Sequence, residues 1–548
     1  MNDLLIRGAK VYDGLGGSFS GDVAVRDGKI AATGKVTSPA TETIDAGGLA
    51  LMPGIVDVHT HYDAQATWDR TLSPSPALGV TTAVLGNCGF GIAPCPAPQR
   101  QTVLRNLSVV EGMDLAALES GVRWQAESFG GYLVQLRQAG LYANVAVLAQ
   151  HSTIRSAVMG DEASTRAVPS EAQMAQMQFL VREAMDAGAI GFASSFSPNH
   201  AGWQGRPMPS TIATDAELKK LTGELKGKGI FVMATGPRAT PEFMESISEA
   251  NGRPSFMVTV LTMYNDAEPA KALTYYERCA AARARGHEVY IHTSCQPLSF
   301  DFTLAEPYLL YSHDAFDRIK AAKPEERAGI YRDAGFRSRF RENLQNPKQG
   351  ILFYGDWSKI ELEGRAISEL AKERGSDPLN FFFDLPVDQQ LIGKLFQNND
   401  AGVAPLLKHA QGVVALSDAG AHLIYFCDAG FGLHFLQHWV RETNTFTLAE
   451  GVRKLTSDPA RKYRIPGRGE IKVGNAADLV LFDPASVGIS SLKRQKDLPG
   501  GGTRMLRDPV GVHGVWVNGV QVHDGKGYIA LDTGPGEVLT EFSQGGTP

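Results

Sequence analysis

Two histidines one residue apart, His59 and His61, close an apolar run, Gly54-Ile55-Val56-Asp57-Val58-His59-Thr60-His61. In a strand, residues i and i+2 share a face, so both imidazoles leave the same side. Neutral imidazoles converging in this way suit a zinc ion. A bare pair is more often just hydrogen-bonded on a half-buried strand, so the rest of the chain decides. Other apolar runs also end in residues that ligate or titrate: Cys88, His151, Ser194 and Ser195, Thr235, Thr262, His292 and Asp418. Cys88, set between glycines in Gly86-Asn87-Cys88-Gly89, reads as a ligand or reactive thiol in preference to one more buried cysteine. His151 and His292 read as metal or substrate contacts on equal terms with a loop-orienting role. Asp418 reads as metal ligand and general base, with a helix cap as the alternative. A carboxylate facing a metal-bound water can take its proton, and the metal has already made that proton easier to remove. Arg155, His200, Arg206 and His422 are candidates for holding substrate, the arginines by bidentate pairing with a carboxylate.

These residues need elements that bring strand ends together. Eight runs qualify as strands: Gly54–His61, Thr81–Asn87, Asn144–His151, Gly191–Ser195, Gly229–Thr235, Ser255–Thr262, Glu288–His292 and Gly412–Asp418. Helical patterns separate several of them, among them Ser170–Ala187 and Asp215–Lys228. Alternation of this kind predicts an α/β chain whose central region, 53–460, is a (β/α)8 TIM-like barrel, with the chemistry at the carboxyl ends of its strands. The stretch from about 296 to 410 is too long for one connection and reads as an inserted lid that carries part of the substrate pocket. Residues 1–52 hold short strands with an Asp27-Gly28 turn, and 461–548 hold others with an Asn518-Gly519 turn, both hairpin signals. The two terminal segments are expected to complete one small β-sandwich domain.

Composition excludes several classes. A net charge of -6 over 548 residues leaves no basic footprint for nucleic acid or an anionic membrane. No apolar run reaches the length of a membrane span, and the first residues lack the form of a signal peptide. Five cysteines in a chain of this length argue against a disulfide framework. The expectation is a cytoplasmic enzyme acting on a small molecule, with a homo-oligomer left open.

Taken together, Met52-Pro53-Gly54 through Gln65, Gly79-Val80-Thr81-Thr82, Gly86-Asn87-Cys88-Gly89, Asn144–Gly160, Ser417-Asp418-Ala419-Gly420-Ala421-His422, Thr456–Ala460 and Gly467–Asp483 resemble the amidohydrolase superfamily. Within it they resemble the N-acyl-D-amino-acid deacylases, or D-aminoacylases. The resemblance implies a barrel plus β-sandwich and hydrolysis of an amide C–N bond by metal-activated water. It implies His59 and His61 as ligands, Cys88 as a thiolate ligand and Asp418 as general base. That family carries histidine ligands at the ends of strands five and six, where this chain reads Phe231–Thr235 and Val258–Thr262 without one. The departure points to one Zn²⁺ ion, with two as the alternative, and to Fe²⁺, Mn²⁺ or Co²⁺ as other occupants. It also admits a lyase (a decarboxylase or C–C cleaving enzyme) on the same scaffold, and, less favoured, a binding protein without catalysis.

Overall fold

The computed structural model describes residues 1–543 apart from 226, 259, 312, 347–352 and 424–427. Eight parallel strands lie at 55–57, 80–85, 144–150, 191–195, 230–234, 255–258, 289–293 and 412–414, hydrogen-bonded in that order. A parallel bridge between Thr60 and Ala419 joins the first strand's end to the last and closes the barrel. Each coincides with an expected strand. The sixth ends at Val258, and its expected continuation passes through residue 259, outside the described residues, into a short 3-10 turn at Val260–Thr262. Val80–Leu85 and Asn144–Gln150 are buried at every position, as expected of parallel strands covered on both faces.

The helices follow from local signals. Helix Glu171–Ala187 opens on a reciprocal cap: Gln173 N–H donates to Ser170 Oγ at 3.2 Å, and Ser170 N–H donates to Gln173 Oε1 at 2.8 Å. It buries Met174, Met177, Val181, Ala184 and Met185, one stripe of an amphipathic helix, and stops at Gly188 with φ of 105°. The second expected helix is shorter than its pattern, Asp215–Thr222, before a 3-10 turn.

Both chain ends build one further sheet. Its order runs 520–523, 512–517, 479–482, 50–53, 2–12, 18–26 and 29–34, with 40–45 also paired to 2–12. Most pairs are antiparallel; 40–45 and 50–53 run parallel to the two halves of Asn2–Tyr12. A bulge between Ile6 and Ala9 divides those halves, with Gly8 at φ 65°. The hairpin signals hold: Asp27 and Gly28 take φ of 51° and 72°, Asn518 and Gly519 take 45° and 79°, as a type I′ turn requires. Leu4, Ile6, Val25, Leu479 and Trp516 share one core, which ties the first strands to the last.

Residues 260–273 and 296–405 form a second compact unit. It contains a four-stranded antiparallel sheet and an aromatic cluster in which Tyr331 stacks on Phe383 at 5.3 Å. Within it lie the helices Pro324–Tyr331 and Ala334–Gln345. No helix among the described residues is long and apolar enough to cross a membrane.

Candidate metal centre

The first strand delivers His59 and His61 to the carboxyl face of the barrel. Their backbone is fixed by the closing strand: His61 N–H donates to Ala419 O at 2.7 Å, and Ser417 Oγ donates to His59 O at 3.0 Å. Gly420 makes this approach feasible, because a Cβ there would lie 2.6 Å from His61 O at a φ of +93°. Cys88 follows strand two in a tight turn held by Asn87, whose side-chain amide donates to Val84 O at 2.9 Å and Thr60 O at 3.3 Å. The next residue must be glycine: a Cβ at Gly89 would sit 2.8 Å from Ala193 O.

These elements bring His59, His61 and Cys88 together, with Asp418 against both imidazoles. Asp418 Oδ1 lies 3.0 Å from His59 Nε2 and 3.5 Å from His61 Nε2. Cys88 Sγ lies 3.7 Å from His59 Nε2, and one donor atom each of His59, His61 and Cys88 falls within 4.8 Å of the others. Cys88, Asp418 and the adjacent His422 all adopt positive φ, of 55°, 45° and 54°. Non-glycine residues held in this region concentrate at functional sites. His59 and His61 are almost wholly buried, whereas the Asp418 side chain is 22% exposed, so the cluster opens to solvent on the Asp418 side.

Burial opposes charge on every group here, and neighbours decide the outcome. On His59, burial is outweighed by Asp418 and Cys88, which raise its pKa to about 9. His61 is likewise carried well above its ordinary value, by Glu111 and Asp418 against burial. Asp418 is drawn well below the usual carboxylate range by the two histidines, against the partial desolvation of its carboxylate. Burial raises Asp57 and Glu111 to about 7 and lowers His422 to about 4.

Other expected site residues lie elsewhere. His292 stands behind His59: its Nδ1 is 3.0 Å from His59 Nδ1 and its Nε2 is 2.6 Å from the Tyr463 hydroxyl, so both nitrogens are engaged away from the donor cluster. His151 and Arg155 belong to a separate buried network. His151 pairs with Ser194 Oγ at 2.8 Å and Glu217 Oε1 at 2.9 Å, and Arg155 closes on Glu217 as well. Arg155 is fully buried and its guanidinium also donates to Arg166 O at 2.6 Å, which commits it to the fold and not to a substrate carboxylate. His200 bonds Ser195 Oγ at 2.7 Å and packs edge-on to Phe90; burial lowers its pKa to about 3, so it is neutral. Arg206 is exposed on the loop after strand four. His422 Nε2 lies 3.9 Å from Asp418 Oδ2 and 4.0 Å from Glu111 Oε2, beside the cluster.

The sequence reading missed Glu111, whose Oε1 is 3.3 Å from His61 Nδ1, and Tyr463. The one signal for Glu111 is an isolated charge in the otherwise uncharged Val109-Val110-Glu111-Gly112-Met113. Tyr463 carries no signal at all.

A parallel eight-stranded barrel whose strand ends gather two imidazoles, a thiol and a carboxylate defines a metal-dependent hydrolase of the barrel class. The chain belongs to the amidohydrolase family, whose model matches residues 42–523. It is 28% identical to the N-acyl-D-aspartate deacylase of Alcaligenes xylosoxydans xylosoxydans, over 98% of this chain and 95% of that one. It is 28% identical to the D-aminoacylase of the same organism, over 97% and 96%. Among solved structures it resembles the N-acyl-D-glutamate deacylase of Bordetella bronchiseptica, crystallised with zinc and a phosphonate mimic of the tetrahedral intermediate. That match has a TM-score of 0.66 and 25% identity, covering 98% of this chain and 100% of that one. The expected barrel and the expected metal-dependent hydrolysis of a C–N bond both stand.

Proposed function

We propose that this chain cleaves the amide bond of a small N-acyl amino acid, using one Zn²⁺ held by His59, His61, Cys88 and Asp418. The observation that carries this reading is the convergence of those donors at the barrel mouth. Two imidazoles, a thiolate and a carboxylate make a zinc-type set with the count of a four-coordinate site. When bound, a divalent ion at this point polarises an amide carbonyl and acidifies a water.

The chain's own residues do the rest. Asp418 stays ionised beside its histidines, and its solvent-facing side lets it accept the attacking water's proton at Oδ2 and return it to the leaving amine. His200, neutral and hydrogen-bonded to Ser195, and His422, beside Asp418, are the candidates for contacting the acyl amino acid. Arg206 remains a candidate for the substrate carboxylate, being exposed where Arg155 is not.

The names of the relatives supply the substrate panel: N-acetyl-D-aspartate, N-acetyl-D-glutamate and neutral N-acetyl-D-amino acids, with their L enantiomers. Release of a primary amine together with acetate supports the reading. Release of CO₂ or a new carbonyl compound identifies the lyase alternative, and turnover of no member alongside less than one bound metal identifies a binding protein.

A further inference from the structure

His59 and His61 can each offer a metal only a ring nitrogen that carries no proton. The structure shows which nitrogen that must be. His61 turns Nε2 toward Asp418 and Nδ1 toward Glu111 Oε1, 3.3 Å away. Once an ion replaces the proton between Nε2 and Asp418, the ring keeps a single proton, and Glu111 holds it at Nδ1, which leaves the Nε2 lone pair for the ion. His59 turns Nε2 toward Cys88 and Asp418 and Nδ1 toward His292 Nδ1, 3.0 Å away. Two imidazole nitrogens at this distance share one proton position. If His59 donates, His292 accepts at Nδ1, carries its own proton on Nε2 and donates it to the Tyr463 oxygen, 2.6 Å away. The reverse order places a proton on His59 Nε2, at the point where the donors meet, and blocks the ion. His59, His292 and Tyr463 therefore form a line in which every proton must point outward from the metal.

We propose that Glu111 and the His292–Tyr463 pair are positioning residues that hold His61 and His59 in the Nδ1–H form, so that both Nε2 lone pairs meet Cys88 and Asp418 on one ion. All three braces are buried and come from remote elements. Glu111 follows helix Arg100–Val110, His292 lies in strand seven and Tyr463 follows helix Ser457–Lys462. Orienting a ligating histidine through its other nitrogen fixes the ring and raises its basicity, and loss of such a partner typically weakens metal binding about 10–100-fold. The inference rests on the proposed metal reading.

The test uses the full chain, stripped of metal and titrated with Zn²⁺ against a competing chelator; the metal-free melting temperature is measured in parallel. Tyr463→Phe removes one oxygen and keeps the ring, and Glu111→Ala removes the other brace. Both are expected to weaken Zn²⁺ binding about 10–100-fold. Glu111→Gln, whose amide oxygen still accepts from His61 Nδ1–H, is expected to recover most of that loss. A purely structural role would lower the melting temperature and leave Zn²⁺ affinity alone. Affinities within about twofold of the parent in both Tyr463→Phe and Glu111→Ala, with the parent holding its ion, overturn the positioning role by itself. A parent chain that binds no Zn²⁺ overturns the metal reading, and this inference with it.

Discussion

Substituting Asp418 by Asn separates holding the ion from moving the proton. The amide keeps the shape and one oxygen near His59 Nε2, 3.0 Å away in the parent, but removes the charge and the basicity. A positioned general base contributes about 10²–10⁴ to rate. At about 1.4 kcal/mol per factor of ten, that is about 3–5 kcal/mol on the barrier. The two histidines and Cys88 remain as ligands, so metal content is expected to stay near one ion per chain at micromolar Zn²⁺. The assay follows amine release from the best member of the N-acetyl amino acid panel, with metal measured on the same protein. kcat is expected to fall by two to four orders of magnitude (about 10²–10⁴, as above) with KM changed only a few-fold. A kcat within about tenfold of the parent at full metal occupancy refutes the base role, because among the described residues no other carboxylate lies against both imidazole Nε2 atoms. Activity that falls only in step with lost metal assigns Asp418 to ligation alone.

Glu217→Ala leaves the guanidinium of Arg155 and His151 without their shared partner in a fully buried site. Breaking a buried pair from one side costs about 3–5 kcal/mol, so urea unfolding is expected to shift to lower concentration while zinc stoichiometry stays unchanged; loss of the metal instead would tie this network to the centre. Gly420→Ala forces a Cβ to within 2.6 Å of His61 O. Displacing the ring by about 1 Å is worth up to about 10² in rate, so activity should drop with retained circular dichroism, and unchanged activity would show that the closing strand yields. His313, in the second unit, is lowered by burial to about 4 from an ordinary 6.5. Its neutral form is what the fold accommodates, so this stability is complete above pH 6.5 and drains as pH falls toward 4, about 3 kcal/mol at about 1.4 kcal/mol per unit. His313→Leu should flatten the dependence of melting temperature on pH over that window, and an unchanged slope would place the acid sensitivity elsewhere.

Parallel strands wrapped on both faces read as continuous apolar runs, which is why all eight barrel strands could be located from residues such as Val80–Leu85 and Asn144–Gln150. Strand ends then named most of the centre, since a barrel gathers them whatever their distance in sequence. His59, His61, Cys88 and Asp418 come from three strands and meet because of that rule alone. What a single sequence does not reveal is how a side chain turns once it arrives. His151 and His292 both end strands, yet one faces Glu217 on the helix at 215–222 and the other faces Tyr463. Glu217, Tyr463 and Glu111 sit on or just beyond helices, where a charged or aromatic residue is ordinary, and only the packed structure distinguishes them. The same limit explains Arg155: four residues after His151 on one helical face, it looks like a free cation until Glu217 is brought against it.

The number of ions is where this chain departs furthest from the resemblance that located its residues. A second ion needs its own donors, and the strand-five end supplies Thr235, a neutral hydroxyl, buried and without a hydrogen-bond partner among the described residues. A threonine hydroxyl remains protonated near neutral pH and is a poor substitute for an imidazole toward zinc. Asp63, two residues after His61, is already spent on Gln150 Nε2 at 2.6 Å and Gly86 N–H at 3.0 Å. Glu111 is turned to His61 and His422 and braces the ligand it would have to share. The expected outcome is therefore a single tight Zn²⁺ per chain by elemental analysis, with activity reaching its plateau at one equivalent in a titration of the metal-free protein. Two tightly held ions, or activity that keeps rising to two equivalents, would refute this. That result would mean that Thr235 and its neighbours had been replaced by donors recruited from elsewhere, with Glu111 and His422 the first to examine.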